Sequence, residues 1–144
     1  MSFRLPAIFF TLLSAMALAQ LVQAEEPPSP EIHLELNTVQ DTGTACRLTF
    51  VANNSIGEDI DKAVFETVIF DASGSVMLLS LFDFRDLPAG TPRVRQFDVP
   101  GTTCDAIGKV LINGANTCSA GGSDSDACGS LLNVESRIEL ELLG

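Results

Sequence analysis

Ala63-Val64-Phe65-Glu66-Thr67-Val68-Ile69-Phe70, then Asp71-Ala72-Ser73-Gly74, then Val76-Met77-Leu78-Leu79-Ser80-Leu81-Phe82-Asp83-Phe84: this stretch decides the fold class. Its first run is apolar on both faces, interrupted only by Glu66 and Thr67, which suits a strand deep in a sheet. Asp, Ser and Gly in the following four positions are turn chemistry, because Asp bonds its own backbone and Gly admits positive φ. An apolar run then resumes, so two strands are joined by a tight turn.

The same grammar extends both ways. Ile32, Leu34 and Leu36 alternate with Glu31, His33, Glu35 and Asn37, the period of a half-buried strand. Cys46, Leu48, Phe50 and Ala52 alternate with Arg47, Thr49 and Asn53, and Asn53 to Gly57 reads as a turn or loop. Downstream, Leu87-Pro88-Ala89-Gly90 is a turn. Arg93 to Val99 is a strand with Phe97 and Val99 apolar and Arg93 and Arg95 facing water, closed by Pro100-Gly101. Ile107 to Asn113 is a further strand, and Val134, Ile138, Leu140 and Leu142 mark a last one. No amphipathic helix is evident after residue 24. Short strands with turn signals between them predict an all-β sandwich or barrel.

A resemblance narrows this. Val68 to Val76, followed by Leu87-Pro88-Ala89-Gly90-Thr91 and then Phe97, resembles bacterial immunoglobulin-like envelope domains of the FxLYD type. In those, a strand ending in an aromatic-Asp-x-x-Gly turn precedes a leucine-proline-x-glycine turn. The likeness covers the middle third of the chain. Phe70 stands where Tyr is usual, four cysteines are added, and there is neither a Trp nor a Tyr corner, so an antibody-type domain is not indicated. The resemblance implies an immunoglobulin-like antiparallel β-sandwich of about seven strands and an extracytoplasmic setting. It carries over no catalytic residue, and fold alone supplies no function.

Met1 to Arg4 holds one positive side chain, Leu5 to Val22 holds no charge, and Val22-Gln23-Ala24 is a small-residue cleavage pattern. That order is a secretory signal peptide, an N-terminal helix cut after Ala24. The expected organisation is a signal peptide at 1–24, an acidic Pro-rich tether at 25–30 and one sandwich domain at 31–144. With Arg4 removed, 7 basic side chains face 19 acidic ones, a net charge of −12. Such a chain repels phosphate backbones and anionic membranes, so nucleic acid is not an expected partner. No membrane span remains after cleavage.

The four cysteines, Cys46, Cys104, Cys118 and Cys128, are an even set in an exported chain and read as two disulfides, for which three connectivities exist. Cys118 and Cys128 bracket nine residues and can close on themselves. Cys46 starts one strand and Cys104 precedes another, so these can join two strands at one end of the sandwich. Zinc is disfavoured, since no Cys-x-x-Cys exists and His33, the one histidine, lies far from the cysteines in sequence.

Catalytic constellations are thin. His33 falls on the polar side of the first strand, with every cysteine committed elsewhere, and nucleophilic catalysis needs a base held against its nucleophile. Asp124 and Asp126 can offer oxygens to Ca²⁺, but a full cation loop is lacking; a flexible surface loop stapled by its own disulfide is the plainer expectation. Asn53-Asn54-Ser55 matches a glycosylation acceptor that has meaning only in a eukaryotic secretory route. The last strand is expected to set Glu135, Arg137, Glu139 and Glu141 on one side, with Glu31 and Glu35 of the first strand nearby. This acidic face is either edge protection or a docking surface. The expectation is a non-catalytic periplasmic or secreted module, without cofactor, that binds or supports a protein partner in the cell envelope. The alternatives are a metal-dependent or carboxylate-based hydrolase, and an assembly or chaperone-like protein acting by strand addition. Oligomeric state is left open by the sequence.

Overall fold

The computed structural model describes residues 25–144. The expected signal peptide, with its cut after Ala24, lies outside the described residues. Glu25 to Pro30 is exposed and irregular. Strands follow in the order β1 (Ile32–Asp41), β2 (Ala45–Asn54), β3 (Ile60–Asp71), β4 (Val76–Leu87) and β5 (Arg93–Pro100). A 3-10 turn (Cys104–Ala106) leads to β6 (Ile107–Ala120) and β7 (Ser123–Asp124). One helical turn, α1 (Ala127–Ser130), precedes β8 (Leu132–Ser136) and β9 (Glu141–Leu143).

These form two sheets packed face to face. Sheet A has the order β5-β2-β1-β8; sheet B has the order β4-β3-β6-β7, with β9 also paired to β6. The fold is the expected all-β sandwich, but both sheets are mixed. β1 and β8 run parallel, with Ile32 opposite Leu132, and β6 and β9 run parallel, with Val110 opposite Leu142.

The β3–β4 turn forms as its residues require. Asp71 Oδ1 accepts from the Ser73 N–H, the Ser75 N–H and the Ser73 hydroxyl at 2.9, 2.9 and 2.6 Å. Gly74 supplies the φ of 86° that closes it. Inward alternation on β1 and β2 buries Ile32, Leu34, Leu36, Leu48 and Phe50 completely. Opposite them lie Phe65, Ile69, Phe84 and Val110, also at zero exposure. Aromatic rings bridge the two layers: Phe50 lies edge-on to Phe84 at 5.5 Å, and Phe82 stacks on Phe97 at 4.2 Å.

The disulfides are Cys46–Cys104 and Cys118–Cys128. The first ties β2 to the turn before β6, and the second ties β6 to α1.

Three expectations need correction. Arg93 and Arg95 share parity with Phe97 and Val99, so all four point to one side. Arg95 accordingly enters the sandwich and keeps only 8% of its exposure. The segment expected as a flexible loop is a hairpin. Gly121 and Gly122, at φ 58° and 77°, turn β6 into β7, which pairs back on Ser119 and Ala120 before α1. Thirdly, Val134 to Leu142 is not one strand. The chain leaves sheet A after Ser136 and enters sheet B at Glu141. Ser136 Oγ bonds the Ile138 and Leu140 carbonyls at 3.0 and 2.5 Å and fixes the crossing. Val134, Ile138, Leu140 and Leu142 still point inward, so the alternation holds while the strand does not.

Candidate functional site

The expected acidic face dissolves at that crossing. Glu135 sits on β8, on the outer side of sheet A; Glu139 lies exposed in the crossing; Glu141 sits on β9, on the outer side of sheet B. Glu31 and Glu35 do adjoin Glu135, because β1 pairs with β8 and places Glu35 beside it. Each acid in that group has a local partner. His33 Nε2 is 3.3 Å from Glu135 Oε2, Asn133 donates to Glu31 at 2.9 Å, and Asn37 donates to Glu35 at 2.7 Å. The arrangement is two separate acidic spots on opposite sides of the molecule.

The rest of sheet A's outer side is likewise solvated. Arg47 and Asp98 form a two-pronged ion pair at 2.8 and 3.0 Å, and Gln96 donates to Thr49 at 3.1 Å. Its β2–β5 pairs are polar in the middle, at Arg47–Asp98 and Thr49–Gln96, and apolar at Val51–Val94 and Ala45–Pro100.

Sheet B presents the opposite character. Leu79 of β4 lies opposite Val68 of β3, Val68 opposite Leu111 of β6, and Leu111 opposite Leu143 of β9. Their sequence neighbours Ile69, Val110 and Leu142 are core residues, so this row of four aliphatics points outward. Leu79 is 56% exposed and Leu81, one row along, 51%. Lys109 lies over the Phe70 ring at 5.0 Å on the adjoining row, next to Glu141. Val68 in the middle of the row is buried at 6%, so the exposed aliphatics gather on β4, at Val76, Met77, Leu79 and Leu81, with Leu143 at the far end.

The row ends at β4, and β4 is a sheet edge. The other edges are blunted: β7, β9 and β8 are two, three and five residues long, and β5 carries Arg93, Arg95 and a terminal Pro100. β4 is twelve residues long. Its C-terminal half is protected. Arg85 sits in a left-handed conformation at φ 60° within an irregular register, flanked by Asp83 and Asp86. Arg95 caps the Phe84 and Asp86 carbonyls at 2.6 and 3.0 Å. From Leu78 to Phe82 the register is regular against Ile69 to Phe65 and no side chain is charged. Among the described residues, no side chain bonds that stretch's backbone.

Two further places carry polar side chains close together. A groove of about 680 Å³ lies beside the Cys46–Cys104 bridge, lined by Asp41, Thr44, Thr102, Thr103 and small residues. Asp41 Oδ1 is already engaged by the Cys104 N–H at 2.7 Å. Among the described residues no three His, Cys, Asp or Glu side chains converge to hold a metal ion, so Asp124 and Asp126 lack a third ligand of those types.

The sequence reading missed Leu79, Leu81, Leu111 and Leu143. A signal was present: Leu78 and Leu79 are aliphatic side by side, which leaves one of them outward whichever way the strand turns. No family model matches this chain, and comparison with curated proteins and with solved structures found no match either.

Proposed function

We propose that this chain is a non-catalytic periplasmic or secreted module that binds another protein of the cell envelope through the outer side of sheet B. The observation that carries the reading is the in-register row Leu79–Val68–Leu111–Leu143, exposed at its two ends, half-buried at Leu111 and buried at Val68, on a sandwich whose other outer side is mostly polar. A chain this acidic has no need of aliphatics in that row for solubility. They favour a partner with its own aliphatic surface, the composition found at the centre of protein interfaces. Two disulfides with no free cysteine among the described residues support an oxidising compartment. No helix among the described residues is long and apolar enough to cross a membrane. The resemblance to envelope domains supports the same setting.

A photo-crosslinking residue placed at Leu143, away from the β4 edge, tests this in cells. The expected result is a discrete adduct with a different protein, absent when the probe is at Gln96 on sheet A and lost on Leu111→Lys. Adducts of equal yield from both probe positions, or none from Leu143, would refute it.

A further inference from the structure

We propose that two copies of this chain pair through β4, antiparallel about a two-fold axis at Ser80. The stretch Leu78 to Phe82 is the part of the longest sheet edge that is regular, uncharged and uncapped. An edge of that kind is a template for another strand unless charge, bulges or cover prevent it. Charge, irregular register and cover all protect the same strand a few residues on, at Asp83 to Leu87, and the Leu78–Phe82 stretch lacks all three.

The stretch is also complementary to itself. With the axis at Ser80, Leu79 lies opposite Leu81 of the other copy, Leu78 opposite Phe82, and Ser80 opposite Ser80. Every pair falls inside the regular stretch and is of like character, as a two-fold interface requires. The charges fall apart harmlessly. Asp83 comes opposite Met77 and Arg85 opposite Ser75, so no like charges meet.

Pairing would extend the five-stranded sheet across both copies and carry the row Leu143–Leu111–Val68–Leu79 onward to Leu81 of the second copy. It thus deepens the proposed function, resting on the outer side of sheet B as the docking surface and doubling its span. A second copy fits this edge better than a basic strand, because the contact itself is uncharged. Two chains of net −12 repel at a distance, so added salt should screen them and tighten the dimer. Docking of a basic partner would weaken with salt.

Sedimentation of the mature protein in low and high salt tests the proposal. The expected result is a monomer–dimer equilibrium that tightens with salt and is weakened at least about tenfold by Leu79→Lys. Ser80→Cys, a small change on the axis, should yield a disulfide-linked dimer on oxidation where Gln96→Cys does not. Leu79→Lys must retain a cooperative melt and both native disulfides; the Ser80→Cys result stands independently of it. A wild type that stays monomeric in both salts at its highest soluble concentration overturns the pairing, as does a dimer indifferent to Leu79→Lys. Either result leaves the Leu143 crosslinks to stand or fall separately.

Discussion

Arg95 on β5 donates from Nε to the carbonyl oxygen of Phe84 on β4 at 2.6 Å, joining the two sheets by a charged side chain inside the sandwich. Its other nitrogens reach the Asp86 carbonyl at 3.0 Å, the Asp86 carboxylate at 3.2 Å and the Val94 carbonyl at 3.2 Å. Burial, with Arg85 close by, lowers its pKa from the ordinary arginine value. A guanidinium remains protonated nonetheless, since its intrinsic pKa lies far above neutral.

Arg95→Met should therefore destabilise by about 2–4 kcal/mol, because the Phe84, Asp86 and Val94 carbonyls all lose this donor and the Asp86 carboxylate loses a partner. Arg95→Lys should recover little of that loss, since one ammonium cannot span the fork. Urea unfolding of both variants measures this. A loss below about 1 kcal/mol for Arg95→Met would mean the carbonyls find water instead.

Phe50 contacts Phe82 and Phe84 of the opposite layer at 6.2 and 5.5 Å, and Phe97 of the neighbouring strand β5 at 6.0 Å, between centroids. Phe50→Ala empties the centre of that cluster and should cost about 3–5 kcal/mol. Phe50→Leu keeps most of the volume and should cost much less. Thermal melts of the pair separate lost volume from lost ring geometry.

The bridges differ in the length of chain they close. Cys46–Cys104 spans 58 positions and Cys118–Cys128 spans 10. On chain entropy alone the first is worth about 4 kcal/mol and the second about 3 kcal/mol. Replacing each pair separately with Ala should lower the melting temperature in both cases, more for Cys46 and Cys104. Equal shifts would point to the packing of α1 as the larger role of the short bridge.

Acid should unfold the protein through a small set of carboxylates. The Ser73 hydroxyl and the Ser75 N–H hold Asp71 below its ordinary pKa, and Arg47 does the same for Asp98. For Asp86, burial pushes upward but is outweighed by its own N–H and by Arg93 and Arg95. A carboxyl depressed in the folded state adds stability that is complete above its unfolded value. That stability is lost as pH falls through the folded value. Denaturation midpoints should thus fall with pH below about 4, where unperturbed Asp titrates. Asp71→Asn should flatten that slope, and an unchanged slope would remove Asp71 from the set.

How much of this was legible can be judged from particular strands. β1 and β2 were readable, because Ile32 to Leu36 and Cys46 to Ala52 each bury one side of a period-two pattern. The Asp71 turn was readable because its bonds are local. Arg95 was misassigned by residue type, although its parity with Phe97 and Val99 already placed it inward. Glu135 and Glu141 were misjoined for a deeper reason: alternation tells which way a side chain points, but not which sheet the strand has joined. The edge position of β4 was hidden for the same reason, since pairing partners far apart in sequence leave no local trace.

The crossing after Ser136 has a consequence for how the molecule reaches its native state. β8 completes sheet A against the first strand, and β9 lies along β6 in sheet B, so both layers wait on residues made late. Contacts between Ile32 and Leu132 close nearly the whole described chain into a loop, the kind of topology that folds slowly. A chain interrupted before Leu132 would hold β1 and part of β6 without their last neighbours, with the base of the core open between them. Leu132 to Leu143 therefore works as a seam: only when it is in place do β1 and β6 gain their last neighbours and both layers close over the core.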